Sequence, residues 1–346
     1  VPVSLPIYAP SAPITSERRA PSTPPRAVRI SITDRCDLAC VYCRPHRRDG
    51  YLPEARRVPA ESWATLIAGL ASRGVRRVRI TGGEPLVHPE LLEIVAAIAR
   101  VPGIDDIALT TNGTLLQRLA RPLREAGLHR LNVSIDSLDP ARFWQLSRGG
   151  RLDAVLAGIE AARAAGFEEL KTNTVVIGAR ADDLRNDDEL VAITRWAWSV
   201  GATPRFLELM TVGEGANLRD RVVPYAKMRE ILAPLLEAED PRRDEARGPA
   251  VYVRAREGGQ RVGFITGATE TFCEGCDRLR ATSDGMLRPC LATPDGVDVS
   301  AAIVAGDLEE IGRGLDRAWA QKPDGIVWKG CTESTAAAVN MRATGG

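Results

Sequence analysis

The chain has 346 residues, 44% of them hydrophobic, with 46 basic side chains against 45 acidic ones. Charges that nearly cancel disfavour a nucleic-acid-coating protein, which would need a basic excess, so any anion site must be a local cluster of arginines. No apolar run reaches the roughly 18 residues that span a bilayer, and the first residues lack a basic-then-apolar leader, so no membrane association and a cytoplasmic location are expected.

Residues 1–27, rich in Pro, Ser and Ala, read as a disordered arm. From residue 28 short β-rich runs alternate with alanine-rich helical stretches. The predicted strands are Val28–Ile32, Val75–Ile80, Ile104–Thr110, Arg130–Ile135, Leu170–Ile177 and Thr203–Leu209. Helices are predicted over 59–73, 89–100, 114–126, 151–165 and 187–200. Such alternation makes βα units and a parallel sheet, either an incomplete (β/α)6 barrel or an open doubly wound sheet.

Strand chemistry separates the two. Arg77, Arg79 and Thr81 share one parity, and Val78 and Ile80 the other. Asn132, Ser134 and Asp136 alternate with Val133 and Ile135, and Lys171 and Asn173 share a face. A doubly wound sheet is covered by helices on both faces and wants both apolar. One polar face fits the lumen of a wide barrel lined for a polar ligand; edge strands are the competing reading. Residues 237–250, charged and proline-containing, read as a linker or exposed loop, and 251–300 carry short strand-like runs and many glycines. The expected organisation is the arm at 1–27, a partial barrel over 28–236, and a smaller C-terminal region over 237–346 packed on the barrel.

Seven cysteines fall into two triplets and a remainder, Cys331. In a reducing compartment such clusters read as metal or cluster ligands. Cys36, Cys40 and Cys43 form C-x3-C-x2-C directly after the first predicted strand, where a barrel places catalytic loops. Three thiolates on a four-iron cluster leave one iron open. That iron can take the amino and carboxylate groups of S-adenosylmethionine (SAM), a ligand whose sulfonium bond an electron can break. Buried free cysteines, or zinc short of a fourth ligand, are the competing readings.

Further loops sit at predicted strand ends: Thr81–Pro85, Thr110–Gly113, Ser134–Ser137 and Glu208–Met210. Carbonyls of Gly82 and Gly83, and the Glu84 carboxylate, can accept from an ammonium, with glycine allowing close approach. Thr111 and Ser134 can bind a carboxylate, and Met210 can pack on adenine. Cys273, Cys276 and Cys290 give C-x2-C-x13-C, again with no local fourth ligand. This suits a second cluster with an open iron, or zinc.

The first triplet and its loops carry the radical SAM signature. The segments RISITDRCDLACVYC, RITGGEP, LTTNG, NVSIDSLD, KTNTVV, RFLELM, CEGCDRLRATSDGMLRPCL and the terminal GG together resemble the molybdenum cofactor biosynthesis protein A family, the GTP 3',8-cyclases. The resemblance spans roughly residues 28–300 and the tail.

It implies two [4Fe-4S] clusters and SAM as cofactors, with Tyr42 added to the SAM contacts. A SAM-derived 5'-deoxyadenosyl radical takes hydrogen from ribose C3' of GTP, and C3' then attacks guanine C8. The implied product is (8S)-3',8-cyclo-7,8-dihydroguanosine 5'-triphosphate. The implied partners are a reduced donor such as flavodoxin or ferredoxin and, downstream, cyclic pyranopterin monophosphate synthase; a homodimer is among the assemblies it allows.

Arg29, Arg77, Arg79, Lys171, Arg205, Arg278 and Arg280 match the family's substrate positions. All lie on predicted lumen strands or beside the second triplet, and arginine forks suit a triphosphate. There is no G-x4-G-K-[ST] loop to hold it instead. For each basic residue alone, an ordinary solvated charge competes. The resemblance also implies that Gly345 and Gly346 enter the active-site pocket. A sister radical SAM enzyme acting on another nucleotide or a peptide is the alternative activity.

Overall fold

A computed structural model of the chain describes residues 24–44, 50–180, 184–238, 242–243, 248–269, 276–291 and 296–323. Six parallel strands come first: β1 (Ala27–Ser31), β2 (Arg77–Thr81), β3 (Asp106–Thr111), β4 (Arg130–Ser134), β5 (Leu170–Val176) and β6 (Thr203–Glu208). Each pairs with its predecessor. The helices before the last strand of this run are α1 (Trp63–Ala71), α2 (Leu91–Ala99), α3 (Leu116–Glu125), α4 (Pro140–Ser147), α5 (Leu152–Ala164) and α6 (Leu190–Ser199).

The helices form where apolar residues recur on one face. In α2, Leu91, Ile94, Val95 and Ile98 are buried, spaced i, i+3, i+4, i+7. They pack with Val28, Ile30, Val78, Ile80, Ile107, Leu109, Leu131 and Val133, the apolar parity of the strands, in one core. Helix α4 lies outside the helical ranges expected from sequence, although its start is marked: Pro140 begins it, and the Asp139 side chain accepts from Arg142 N at 2.7 Å.

After β6 come α7 (Tyr225–Leu232), β7 (Arg242–Arg243), β8 (Val251–Arg254), β9 (Arg261–Ile265), β10 (Arg278–Ala281), β11 (Met286–Arg288), β12 (Val297–Asp298), α8 (Ser300–Ala305) and α9 (Leu308–Ala320). Here the sequence expectation is corrected. The C-terminal strands do not form a body packed on the barrel; they extend its sheet at both edges. β9 pairs parallel with β6 and β10 parallel with β1, and antiparallel strands follow on each side. Among the described residues the result is one 12-stranded sheet ordered β12-β11-β10-β1-β2-β3-β4-β5-β6-β9-β8-β7. Six strands alone would leave β1 and β6 with unpaired backbone edges, and these additions satisfy them. The polar-faced strands are therefore interior, not edges.

Two boundaries also shift. Of the arm expected at 1–27, residues 1–23 lie outside the described residues. Residues beyond them join the fold: Arg26 N donates to Asp277 O at 3.1 Å, Arg26 O accepts from Arg76 N at 3.0 Å, and Ala27 starts β1. Within the stretch expected as linker, Arg242 and Arg243 pair with Tyr252 and Val251. No helix of the described residues is long and apolar enough to cross a membrane.

Candidate active site

The first cysteine loop leaves β1 and is clamped by its neighbours. Gly83 N donates to Thr33 O at 2.7 Å and Glu84 N to Arg35 O at 2.8 Å. A Cβ on Gly82 would lie 2.4 Å from Thr33 O, and one on Gly83 2.2 Å from Arg35 O. Only glycine lets these two loops touch so closely. From the other side, Ala39 N and Val41 N donate to Ser147 O and Leu146 O at the end of α4, at 3.2 and 3.0 Å. The helix that sequence reasoning missed thus supports the cysteines.

Buried carboxylates tie the loops together. Glu84 accepts from Leu86 N at 2.9 Å, the Thr111 hydroxyl at 2.7 Å and Asn112 N at 2.6 Å. Burial pushes its carboxyl up to about 8 despite those bonds. Thr111 shares a 2.7 Å hydrogen bond with Glu84 and accepts from Gly113 N at 2.9 Å, so it buttresses Glu84 at the end of β3. Ser134 is half-buried, with its hydroxyl uncommitted among the described residues, and keeps the expected capacity.

Asp37, between two loop residues, accepts from Asn112 Nδ2 at 2.7 Å and Thr114 Oγ1 at 2.6 Å. The Tyr42 hydroxyl donates to buried Asp136 at 2.6 Å, and burial raises that carboxyl to about 6. At the sixth strand end, Met210 packs with Val212 and Leu291, the residue after Cys290, and so joins that strand end to the second cysteine region. Glu208, buried, accepts from Tyr225 N, Ala268 N, Thr269 N and the Thr269 hydroxyl, fixing the segment that leads to the second triplet.

Cys36, Cys40 and Cys43 are half-buried and form no disulfide. Burial, then the charges of Glu84 for Cys36 and Asp136 for Cys40, push both thiols well up. Thiolates there need a cation, and an iron cluster supplies one. Among the described residues no three His, Cys, Asp or Glu side chains converge on a single-ion site. A cluster instead takes its thiolates on three different irons, and the donor set fits it.

Of the second triplet, Cys273 lies outside the described residues. Cys276 precedes β10 and Cys290 follows β11; both are free of disulfides. The β10–β11 hairpin pairs Arg280 with Arg288. Continuing that register sets Cys290 opposite Arg278, two residues from Cys276. Burial raises the Cys276 thiol, but Arg278 and Lys322 outweigh it and bring it down to about 7. Cys331, Gly345 and Gly346 lie outside the described residues.

Sheet register gathers the basic residues. One row of paired positions runs Arg288, Arg280, Arg29, Arg79, Ala108, Arg130. Below it run Arg278, Ala27, Arg77 and Asp106, and above it Thr110, Asn132, Lys171 and Thr203. A further row holds Ser134, Asn173, Arg205 and Gly263. Paired residues share a face, so all point to the polar side. The structure thus brings together all seven basic residues singled out in the sequence. Sequence reasoning missed Arg130, although it shares its parity with Asn132 and Ser134.

Arg205 Nη2 donates to Asn132 Oδ1 at 2.6 Å. Gly263 leaves space beside it: a Cβ there would lie 2.8 Å from Arg205 Cγ and 2.9 Å from the Tyr252 ring. Arg205 Nε and Asn173 Oδ1 are buried without a partner among the described residues, as expected of a face awaiting a polar ligand. A cavity of about 60 Å³ opens at the N-terminal ends of the strands, lined by Arg29, Arg77, Arg79 and Arg278. There Asp277 pairs with Arg77 and Asp106 with Arg130.

Burial, then neighbouring arginines, depress these cations: Arg29 well down, Arg79 to about 9, Arg280 to about 10. Arginine keeps its proton at neutral pH, so these are buried cations in mutual repulsion, which an anion would relieve. Lys171, brought to about 7 by burial and then by Arg205, is the member that titrates near neutrality.

Residues 30–191 match the Radical SAM superfamily model and residues 202–328 the Molybdenum Cofactor Synthesis C model. A GTP 3',8-cyclase of Pelotomaculum thermopropionicum is 41% identical over 86% of this chain and 91% of its own length. One of Erythrobacter litoralis is 39% identical over 92% and 95%. The crystal structure of Streptococcus suis SuiB bound to S-adenosylmethionine superposes with a TM-score of 0.60 at 16% identity, covering 88% of this chain and 67% of that one. That last likeness is one of fold.

Proposed function

We propose what each part of the site does from one premise: the chain belongs to the GTP 3',8-cyclase family of the radical SAM superfamily. It is a cyclase of molybdenum cofactor biosynthesis that joins ribose C3' to guanine C8 of GTP. Cys36, Cys40 and Cys43 hold one [4Fe-4S] cluster, and Cys273, Cys276 and Cys290 hold another. When bound, the first cluster and SAM together supply a 5'-deoxyadenosyl radical that takes the C3' hydrogen.

The chain's own residues bind and orient. Carbonyls of Gly82 and Gly83, with Glu84 beside them, receive the SAM ammonium; Ser134 takes its carboxylate, Met210 flanks its adenine, and Tyr42, tethered to Asp136, holds the loop below. Arg29, Arg77, Arg79, Lys171, Arg205, Arg278 and Arg280 receive the triphosphate, with Arg130 joining them. Residues 28–236 carry the SAM half and 237–346 the second-cluster half, with Gly345 and Gly346 entering the pocket. A low-potential donor such as flavodoxin or ferredoxin supplies electrons, and the product passes to cyclic pyranopterin monophosphate synthase.

The observation that carries this reading is the arginine row: it runs along one sheet face from the second cysteine hairpin past the strand that launches the first cysteine loop. A polyanion fits that face better than a peptide. Anaerobically reconstituted protein given GTP, SAM and a strong reductant should yield 5'-deoxyadenosine and a nucleotide of GTP's mass with altered retention. Cleavage of SAM with GTP unchanged would point to the sister activity.

A further inference from the structure

Lys322 sits just past the C-terminal end of α9, and its backbone N donates to Trp319 O at 3.0 Å. Only 7% of the residue is exposed. Its ammonium donates to Arg278 O at 2.8 Å and to Pro289 O at 2.9 Å, and lies 4.7 Å from the centre of the Trp319 ring. Arg278 is two residues past Cys276, and Pro289 immediately precedes Cys290. One cation thus ties together the two chain segments that bear these thiols.

We propose that Lys322 is a positioning residue of the second cluster: it pins the Cys276 and Cys290 segments in ligand register and places a positive charge beside them. This rests on the reading that both cysteines ligate one cluster.

The charge matters as much as the clip. Two carbonyls and a ring face satisfy the donors of an ammonium without neutralising it, and among the described residues no carboxylate lies within 4.0 Å. A buried cation needs an anion nearby. Thiolates on an iron–sulfur cluster provide one, and charge beside such a cluster sets its reduction potential. Helix α9 is anchored by buried Ile311, Leu315 and Trp319 in the main core, with Ile311 against Gly69 of α1; Arg73, just beyond α1, hydrogen-bonds Glu309 at 2.8 Å and forms an ion pair with Asp316 at 3.3 Å.

The test uses the full chain with Cys36, Cys40 and Cys43 changed to Ala, so that iron and electron paramagnetic resonance report only the second cluster. Changing Cys273, Cys276 and Cys290 to Ala as well must remove the remaining iron; if iron stays, the ligand reading fails, whatever Lys322 does. With that established, Lys322→Met should release iron to a chelator about tenfold faster, the scale typical of lost support to metal ligands. It should also move the cluster's midpoint potential to a more negative value. Lys322→Gln keeps a donor without the charge; should the Met variant not fold, the Gln variant must still show the potential shift. Lys322→Arg should restore the potential. An unchanged potential and unchanged iron release in the Met variant, or an unchanged potential in the Gln variant, would overturn the proposal.

Discussion

The two cysteine regions are read as holding the same kind of cluster, yet they sit in opposite fields and are assembled in opposite ways. Glu84, Asp37 and Asp136 surround the first, and burial with these charges holds Cys36 and Cys40 well above the ordinary thiol range. Arg278 and Lys322 flank the second, and Cys276 falls to about 7 although burial opposes it. The first loop is built by consecutive βα units, each lending a hydrogen bond. The second joins a strand inserted beside β1, its hairpin partner and a lysine from beyond α9. Carboxylates beside the first loop suit the ammonium and sulfonium of SAM; the basic second region opens onto an arginine face suited to an anion.

The comparison breaks most visibly if the triplets prove interchangeable. Replacing Cys36, Cys40 and Cys43 with Ala should remove about half of the iron and all SAM cleavage, whereas the same change at Cys273, Cys276 and Cys290 should spare uncoupled SAM cleavage. Next in size, Arg280→Ala or Arg29→Ala should weaken GTP binding by about 1.5–3 kcal/mol while SAM binding stays unchanged, measured by calorimetry under anaerobic conditions. Equal losses for both ligands would erase the division of charge.

A smaller effect comes from Lys171. Its depressed value near 7 means that it loses its charge as pH rises through neutrality, and a bound phosphate favours the charged form. GTP affinity should therefore fall as pH rises, and Lys171→Met should flatten that dependence. The smallest concerns iron-free protein: at neutral pH Cys276 should be alkylated faster than Cys36 or Cys40, because only its thiolate is appreciably populated. Mass mapping of early adducts reads the order.

How much could be read beforehand follows the same divide. The first six strands are legible because Arg77-Val78-Arg79-Ile80 and Arg130-Leu131-Asn132-Val133 alternate with period two, and the first three strands lead into cysteine or glycine loops whose chemistry is local. Their ends moved by only one or two residues. The C-terminal strands are too short to announce a partner, and nothing local in Arg278–Ala281 says that it lies parallel to β1, some 250 residues earlier. For the same reason nothing in the sequence singles out Lys322: its proposed role depends on two carbonyls that only the fold brings together. The Thr111–Glu84 hydrogen bond, a contact between two loops, likewise shows only in the fold.

The central claim is that the acidic cysteine loop initiates chemistry on a nucleotide held by the basic face. GTP deuterated at ribose C3', incubated anaerobically with the reconstituted protein, SAM and reductant, tests it most directly. The deuterium should appear in 5'-deoxyadenosine, with one labelled molecule formed for each nucleotide cyclised. Unlabelled 5'-deoxyadenosine accompanied by intact GTP would contradict the account.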